Sequence, residues 1–83
     1  MKDTVGWYYF NLGDLVNAEQ YFRGALQLAP DQHNIRARLA LTLFSLKRHQ
    51  DAAAEAQKVV ALLTPGPLKS KLEEAVAKGE SGP

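Results

Sequence analysis

Apolar residues in the middle of the chain follow the spacing of helices that bury one face. One stripe stands at i, i+4, i+8 and i+11, and a second stripe follows it after a short polar break. The first stripe consists of Ile35, Leu39, Leu43 and Leu46, and the second of Ala52, Ala56, Val59, Val60 and Leu63. The break between them is Lys47-Arg48-His49-Gln50. So short a turn predicts two antiparallel helices.

The same pattern occurs earlier in the chain, at a fixed offset of 34 residues. Each member of the first copy has an apolar or small counterpart: Val5, Gly6, Tyr9, Ala18, Phe22, Ala25 and Leu26 match Leu39, Ala40, Leu43, Ala52, Ala56, Val59 and Val60. In the first copy Gly13 can end one helix in a left-handed conformation, and Asp14 can cap the next. One offset held over so many pairs predicts stacked helical hairpins, and it favours a binding function.

A fifth helix is predicted near the carboxyl end. Pro67 suits a first helical turn and Gly79 suits a helix end. Between them lies one apolar stripe: Leu68, Leu72, Ala75 and Val76. At an offset of 33, Leu68, Leu72 and Val76 match Ile35, Leu39 and Leu43 of the second repeat. The other face is charged and carries Lys69, Lys71, Glu73, Glu74 and Lys78. We interpret this face as the polar outer surface of a capping helix.

These residues resemble the tetratricopeptide repeat family, whose unit is a helix-turn-helix of 34 residues. The first repeat has the family's residue types at the family's spacing: Val5-Gly6, Tyr9, Gly13-Asp14, Ala18, Phe22, Ala25 and Pro30. The second repeat departs from the pattern at Ala56 in the aromatic slot, at Lys47-Arg48 in the turn and at Pro65, which comes one residue late. Both repeats have a charged residue, Lys2 or Arg36, where the family has a large apolar one.

The resemblance covers roughly residues 1–65 and implies an all-α fold. We expect two antiparallel helix-turn-helix repeats and a C-terminal capping helix, together forming a segment of right-handed α-solenoid. A single domain would span residues 1–79, with repeat one at about 1–32, repeat two at about 33–66 and the capping helix at about 67–78. Residues 80–83 are expected to form a disordered tail.

Composition excludes several classes of function. Ten basic and nine acidic residues give a net charge of +1, which lacks the strongly basic balance that nucleic-acid binding needs. The densest basic group could meet an acidic peptide or a phosphate, but we interpret it as a solvated helix face and turn: Arg36, Arg38, Lys47, Arg48 and His49. No apolar run approaches about 18 residues, so we expect no membrane insertion. The absence of cysteine excludes disulfides and cysteine chemistry but fits any compartment. Without a targeting signal, the default expectation is a cytoplasmic location.

No combination of residues supports catalysis. His33 and His49 lack partners at the spacing of a metal site or a nucleophile pair. Glu73 and Glu74 are adjacent on a helix and point about 100° apart. The glycines form no phosphate-binding motif. We therefore expect no enzyme activity, no cofactor, no metal and no small-molecule substrate.

The resemblance implies a site on the concave face, where the first helices of successive hairpins bind peptides. Carried over by position, the candidate contacts are Trp7, Phe10, Asn11, Asn34, Arg38, Leu41, Phe44 and Ser45, together with Asp3. A subclass of the family clamps a carboxylate with Lys, Asn and Arg, but Asp3 and Trp7 occupy two of those positions here. A mixed groove of this kind suits an amphipathic helix or an extended segment with apolar anchors.

Two alternatives to peptide binding remain open. The chain could be a structural module that forms homo-oligomers through its aromatic amino end, which contains Trp7, Tyr8 and Phe10. It could also be a regulatory segment of a larger protein, or a piece of a longer array. For Trp7 the sequence allows two positions, one as a groove anchor and one packed on an upstream helix.

Overall fold

The computed structural model describes the backbone of residues 2–81 and the side chains of residues 5–78. Over this backbone there are five α-helices and one 3₁₀ turn: α1 (Lys2–Asn11), α2 (Leu15–Leu28), α3 (His33–Ser45), α4 (His49–Val59), the 3₁₀ turn (Val60–Leu62) and α5 (Pro67–Ser81). Helix α1 packs against α2, α3 packs against α4, and the α2–α3 contact joins the two hairpins. The all-α fold of helical repeats is confirmed.

The two hairpin turns have the same backbone conformation at matching positions. Gly13 has a φ of 82°, and Lys47, which follows it at the repeat offset, has a φ of 67°. The Asp14 carboxylate caps α2 by accepting a hydrogen bond from the Asn17 side-chain amide at 2.8 Å and a longer one from the Asn17 backbone N–H at 3.4 Å. Arg48 precedes α4 in the same way, but its side chain makes no cap hydrogen bond within the described residues.

The core runs between the hairpins and continues into α5. Its largest fully buried side chains are Phe22, Leu39, Leu43, Leu72, Val59 and Thr42. The Thr42 hydroxyl donates to the Arg38 carbonyl at 2.8 Å, so this polar group is satisfied inside the core. The small residues of the two repeats are buried: Gly6, Ala18, Ala25, Ala40 and Ala52. They allow the helices to approach closely.

Helix α5 departs from the expectation at its far end. It begins at Pro67, but its backbone stays helical to Ser81, beyond the expected end at residue 78. Glu80 and Ser81, which the sequence placed in a disordered tail, are therefore helical, and residues 82–83 lie outside the described residues. Gly79 permits a helix to end without forcing it to, because an internal glycine costs only about 1 kcal/mol relative to alanine.

Helix α5 packs mainly against α3 and less extensively against α4. It therefore lies toward the side of the molecule that α1 and α3 share. None of the helices in the described part of the chain is long and apolar enough to cross a membrane.

Candidate functional site

Three helices enclose a groove on one side of the molecule, which we call the α1–α3–α5 groove. Its lining residues are Trp7 and Phe10 from α1, Leu41 from α3, and Lys71, Glu74, Ala75 and Lys78 from α5. The groove has a volume of about 240 Å³. Sites for small molecules have volumes of about 300–1,000 Å³. The groove therefore suits one bulky side chain of a partner better than a whole small-molecule ligand.

A stacked aromatic pair forms one wall of the groove. The rings of Trp7 and Phe10 have centroids 4.7 Å apart and planes within 7° of parallel. The two residues are three positions apart on α1, which places them on the same helix face. The Trp7 ring also meets the fully buried Phe22 ring at 6.5 Å and a tilt of 52°. Trp7 is thus held in place from the core side, while the groove side stays accessible.

Arg38 lies over the Trp7 ring, with its guanidinium carbon 5.2 Å from the ring centroid. This distance falls within the range of a cation–π interaction. The pair links α1 to α3 and places a positive charge beside the aromatic wall. Arg38 and Trp7 are both half-buried, so each is partly available to a partner.

The wall contributed by α5 is charged. Lys78 Nζ pairs with Glu74 Oε1 at 2.9 Å, and both side chains are largely exposed. The hydrogen bond from Lys78 and its positive charge hold the pKa of the Glu74 carboxyl below its ordinary value. Exposed pairs of this kind contribute little to stability. Lys71 lies one turn before Ala75 on the same wall.

These α5 residues correct the interpretation of the cap's charged face as an outer surface. Lys71, Glu74 and Lys78 line the groove, because α5 packs toward α3. At the offset of 33 they correspond to positions 38, 41 and 45 of α3, which carry three of the predicted contacts. The offset of 33 therefore predicts that these residues face the groove, whereas their charge favours an outer surface.

The family model for the tetratricopeptide repeat matches residues 9–65. The chain belongs to the tetratricopeptide repeat family. Searches of curated proteins and of solved structures give no significant match. Tetratricopeptide repeats generally mediate protein–protein interaction and are generally non-catalytic modules. The function of this chain is accordingly to be sought in its binding surfaces.

Four of the candidate contacts lie at the groove and four do not. Trp7, Phe10 and Leu41 line it, and Arg38 adjoins it through Trp7. The other four are absent from the lining: Asn11, Asn34, Phe44 and Ser45. Asn11 and Ser45 are the last residues of α1 and α3, and Asn34 lies in the first turn of α3, whereas the groove residue of α3 is near its middle. Asp3 lies outside the described side chains.

Phe44 differs from the others because it is buried. Its side chain is 9% exposed and belongs to the core, with its ring 6.0 Å from the His49 ring. Helix α3 has α2, α4 and α5 packed around it, so almost all of its faces are covered between Ala37 and Phe44. Little of Phe44 is left for a partner to touch.

A second apolar surface lies on the outer face of α1. Val5, Tyr8 and Leu12 are 37%, 61% and 63% exposed. Their counterparts in the second tetratricopeptide repeat are covered: Leu39 is 1% exposed, Thr42 is fully buried and Leu46 is half-buried. The difference arises because α1 packs mainly against α2, whereas α3 is packed against α2, α4 and α5. Of the amino-end aromatic residues only Tyr8 belongs to this outer face, since Trp7 and Phe10 line the groove.

Two of the basic residues predicted to form a dense group, Arg36 and Arg48, take part in separate ion pairs. Arg36 Nη1 donates to Glu55 Oε1 at 2.6 Å, and Arg36 Nη2 donates to the Pro30 carbonyl at 3.3 Å. Arg36 thus joins α3 to α4 at the position where the tetratricopeptide repeat has a large apolar residue. Burial raises the pKa of the Glu55 carboxyl, but the hydrogen bond from Arg36 and the charges of Lys58 and Arg36 outweigh it, so this pKa lies below its ordinary value.

Arg48 forms the second of these interhelical connections. Its guanidinium lies 2.9 Å from Glu19 on α2 and 2.9 Å from Asp51 on α4. Glu19 also accepts a hydrogen bond from Arg23 at 2.8 Å. The arginine charges on this side therefore stabilise contacts within the chain and do not form one anion-binding patch.

Proposed function

We propose that the chain is a protein-interaction module that binds a peptide or a helix of a partner protein in the α1–α3–α5 groove. The observation that carries this proposal is the stacked Trp7–Phe10 pair, which is packed against the core yet accessible beside Leu41. Aromatic residues and arginine dominate the hot spots of protein interfaces. Trp7, Phe10 and Arg38 are the contacts that we assign to the partner's apolar anchor, and Leu41, which is 8% exposed, forms the buried floor beneath it.

Pre-organisation of the aromatic wall supports this proposal. Trp7 is already fixed by Phe10, Phe22 and Arg38, so a partner would lose little affinity to the ordering of these side chains. The limited volume of the groove is consistent with an anchor side chain inserted from a longer segment, which makes its remaining contacts along the rim.

The chain offers a direct reporter of occupancy, because Trp7 is its only tryptophan. A displayed library of random peptides is selected on the immobilised protein, and each selected peptide is then titrated while Trp7 fluorescence is followed. We expect the emission to change on binding. We also expect Phe10→Ala to weaken binding by about tenfold or more, the loss of a typical hot spot.

Tyr8→Ala is the matched control, because it removes an aromatic ring of α1 from the outer face and leaves the groove intact. It should leave the affinity of the selected peptides unchanged. Peptides that bind Phe10→Ala as well as wild type, or that lose affinity only to Tyr8→Ala, would place the binding site elsewhere.

Self-association is a second candidate function, and the outer face of α1 favours it. Val5, Tyr8 and Leu12 expose apolar surface on one side of this helix, and a large contiguous apolar patch on a protein generally marks an interaction site. The test is the solution mass by light scattering over a concentration series. A mass of 9.1 kDa at every concentration removes this candidate. A dimer that Leu12→Ser returns to monomer, and that Phe10→Ala does not, supports it.

A further inference from the structure

Helix α5 gives the groove a chemical asymmetry. On the α1 and α3 side the lining is apolar, with Trp7, Phe10 and Leu41. On the α5 side it consists of two lysines, one glutamate and Ala75. An apolar side chain that enters the groove therefore has an apolar wall on one side and a charged wall on the other.

Among the described side chains, cations outnumber anions around the groove. Glu74 is the one acidic residue of the lining, and Lys78 is already paired with it at 2.9 Å. Arg38 adds a further positive charge over Trp7. Lys71 is exposed and has no ion-pair partner among the described side chains. Among the described lining residues, Lys71 therefore presents the positive charge that no described ion pair neutralises.

Lys71 lies next to the apolar part of the groove. It precedes Ala75 by four residues, so the two side chains lie on the same face of α5. Ala75 is half-buried at the groove. The residues that flank an inserted apolar anchor would thus pass close to the Lys71 ammonium group, where a carboxylate is favoured and a second cation is disfavoured.

We propose that α5 is part of the binding site and that Lys71 makes the groove selective for a segment whose bulky apolar anchor is flanked by acidic residues. This inference rests on the groove function proposed above. The partner is a protein segment that presents Asp or Glu side chains beside a Leu, Met or Phe side chain. Lys71 is a specificity-determining residue, and the aromatic wall supplies the anchor pocket.

The test uses peptides that differ only in their flanks. Three synthetic peptides of equal length, with acetylated and amidated ends, carry one central Phe between Glu, Gln or Lys residues. The chemical capping removes terminal charges, so any preference for acid comes from side chains. Binding is measured by titration of Trp7 fluorescence at low salt, where rim charges have their largest effect.

We expect the Glu-flanked peptide to bind wild type more tightly than the Gln-flanked one by about two- to fivefold for each charge that reaches the rim, and the Lys-flanked peptide to bind least. Lys71→Glu should reverse this order, and Lys71→Gln should abolish it. Lys69→Glu is the control, because it makes the same charge change on the same helix at a residue that does not line the groove. It should keep the wild-type order.

The outcomes separate this inference from the function on which it rests. If all three peptides bind wild type equally and Phe10→Ala weakens all of them, the groove binds an anchor but the acidic selectivity is wrong. If the preference survives Lys71→Glu, or is lost in Lys69→Glu, the assignment to Lys71 is overturned. If no peptide binds wild type, the groove function and this inference fail together. Thermal melts by circular dichroism verify that each variant is folded.

Discussion

The two repeats of this chain share one hairpin but fill its helix crossing differently. In the first repeat the aromatic Phe22 is fully buried, and the facing position is Gly6. A Cβ at Gly6 would lie 2.7 Å from Phe22 Cε1, closer than a carbon contact allows. In the second repeat the matching residues are Ala56 and Ala40, both fully buried. The first repeat thus pairs one large side chain with a glycine, and the second pairs two alanines. The size of the residue at one position therefore limits the size of the residue at the other.

The turns show a second difference between the repeats. The first turn has Gly13 at the left-handed position and Asp14 as a capping residue, whereas the second has Lys47 at the left-handed position and Arg48, whose side chain does not cap α4, at the matching N-terminal position. The second hairpin thus keeps a backbone conformation that its residues do not favour. Beside this turn the Arg48 guanidinium pairs with Glu19 of α2 at 2.9 Å.

The largest effect is expected from Phe22→Ala, which removes the one large side chain of the first crossing. Because Phe22 is fully buried, its loss should destabilise the fold by about 3–5 kcal/mol, measured as the free energy of unfolding in urea. Tyr21→Ala changes the neighbouring aromatic residue, which is 39% exposed, and should cost much less. Equal losses in the two variants would mean that the ring of Phe22 does not dominate this crossing.

Gly6→Ala is expected to cost about 1–3 kcal/mol, because the added methyl group overpacks the crossing against the Phe22 ring. Gly24→Ala is the matched control: a Cβ there meets nothing within 4 Å. It should stabilise α2 by about 0.5–1 kcal/mol through the helix preference of alanine.

The double variant Gly6→Ala with Phe22→Ala tests the comparison itself. It gives the first repeat the small pair found in the second, so its cost should be smaller than the sum of the two single costs. Strict additivity in urea unfolding would contradict the view that positions 6 and 22 constrain each other.

Much of this architecture follows from the spacing of apolar residues alone. The features that do not follow from spacing depend on packing between helices. The helical stripes and the 34-residue offset predict the hairpins. The resemblance to the tetratricopeptide repeat adds the concave face, and Trp7, Phe10 and Leu41 of that face line one groove. The burial of Phe44 depends on how many helices surround α3, which the spacing within α3 does not encode.

The α5 wall was missed for a related reason. The charge of Lys71 and Glu74 correctly indicates that they contact water, but a groove open to solvent satisfies that requirement as well as an outer surface does. The polar residues of a helix identify its solvent-facing side but do not tell which other helices lie beside that side. For α5, the packing against α3 determines that this side faces the groove.

Exchange of the residue at the left-handed position of either hairpin turn should change the free energy of unfolding by about 1 kcal/mol. Lys47→Gly removes the strain of a non-glycine residue at positive φ and should stabilise the protein by up to about 1 kcal/mol. Gly13→Ala creates that strain in the first turn and should destabilise by a similar amount. Thermal unfolding of both variants provides the measurement. A loss of stability in Lys47→Gly would mean that the Lys47 side chain makes a compensating contact.

The smallest effect concerns position 55, where the second repeat has an ion pair and the first has aromatic stacking. Tyr21, the counterpart of Glu55, stacks on Tyr9 at 5.4 Å, whereas Glu55 accepts from Arg36 at 2.6 Å. Because the pKa of Glu55 is lower in the folded state, its stabilising contribution is complete above pH 4.5 and is lost as the pH falls through the folded pKa.

Glu55→Gln should therefore lower the unfolding free energy at neutral pH by up to about 1 kcal/mol and flatten its decline below about pH 4.5. The exposed Glu73→Gln is the control, and it should leave the acid limb unchanged. Urea unfolding from about pH 3 to pH 7 distinguishes the two variants, because this range brackets the ordinary glutamate pKa of about 4.3. If the unfolding free energy of Glu55→Gln declines below about pH 4.5 as steeply as that of wild type, the Arg36–Glu55 pair does not replace the stabilisation that stacking gives the first repeat.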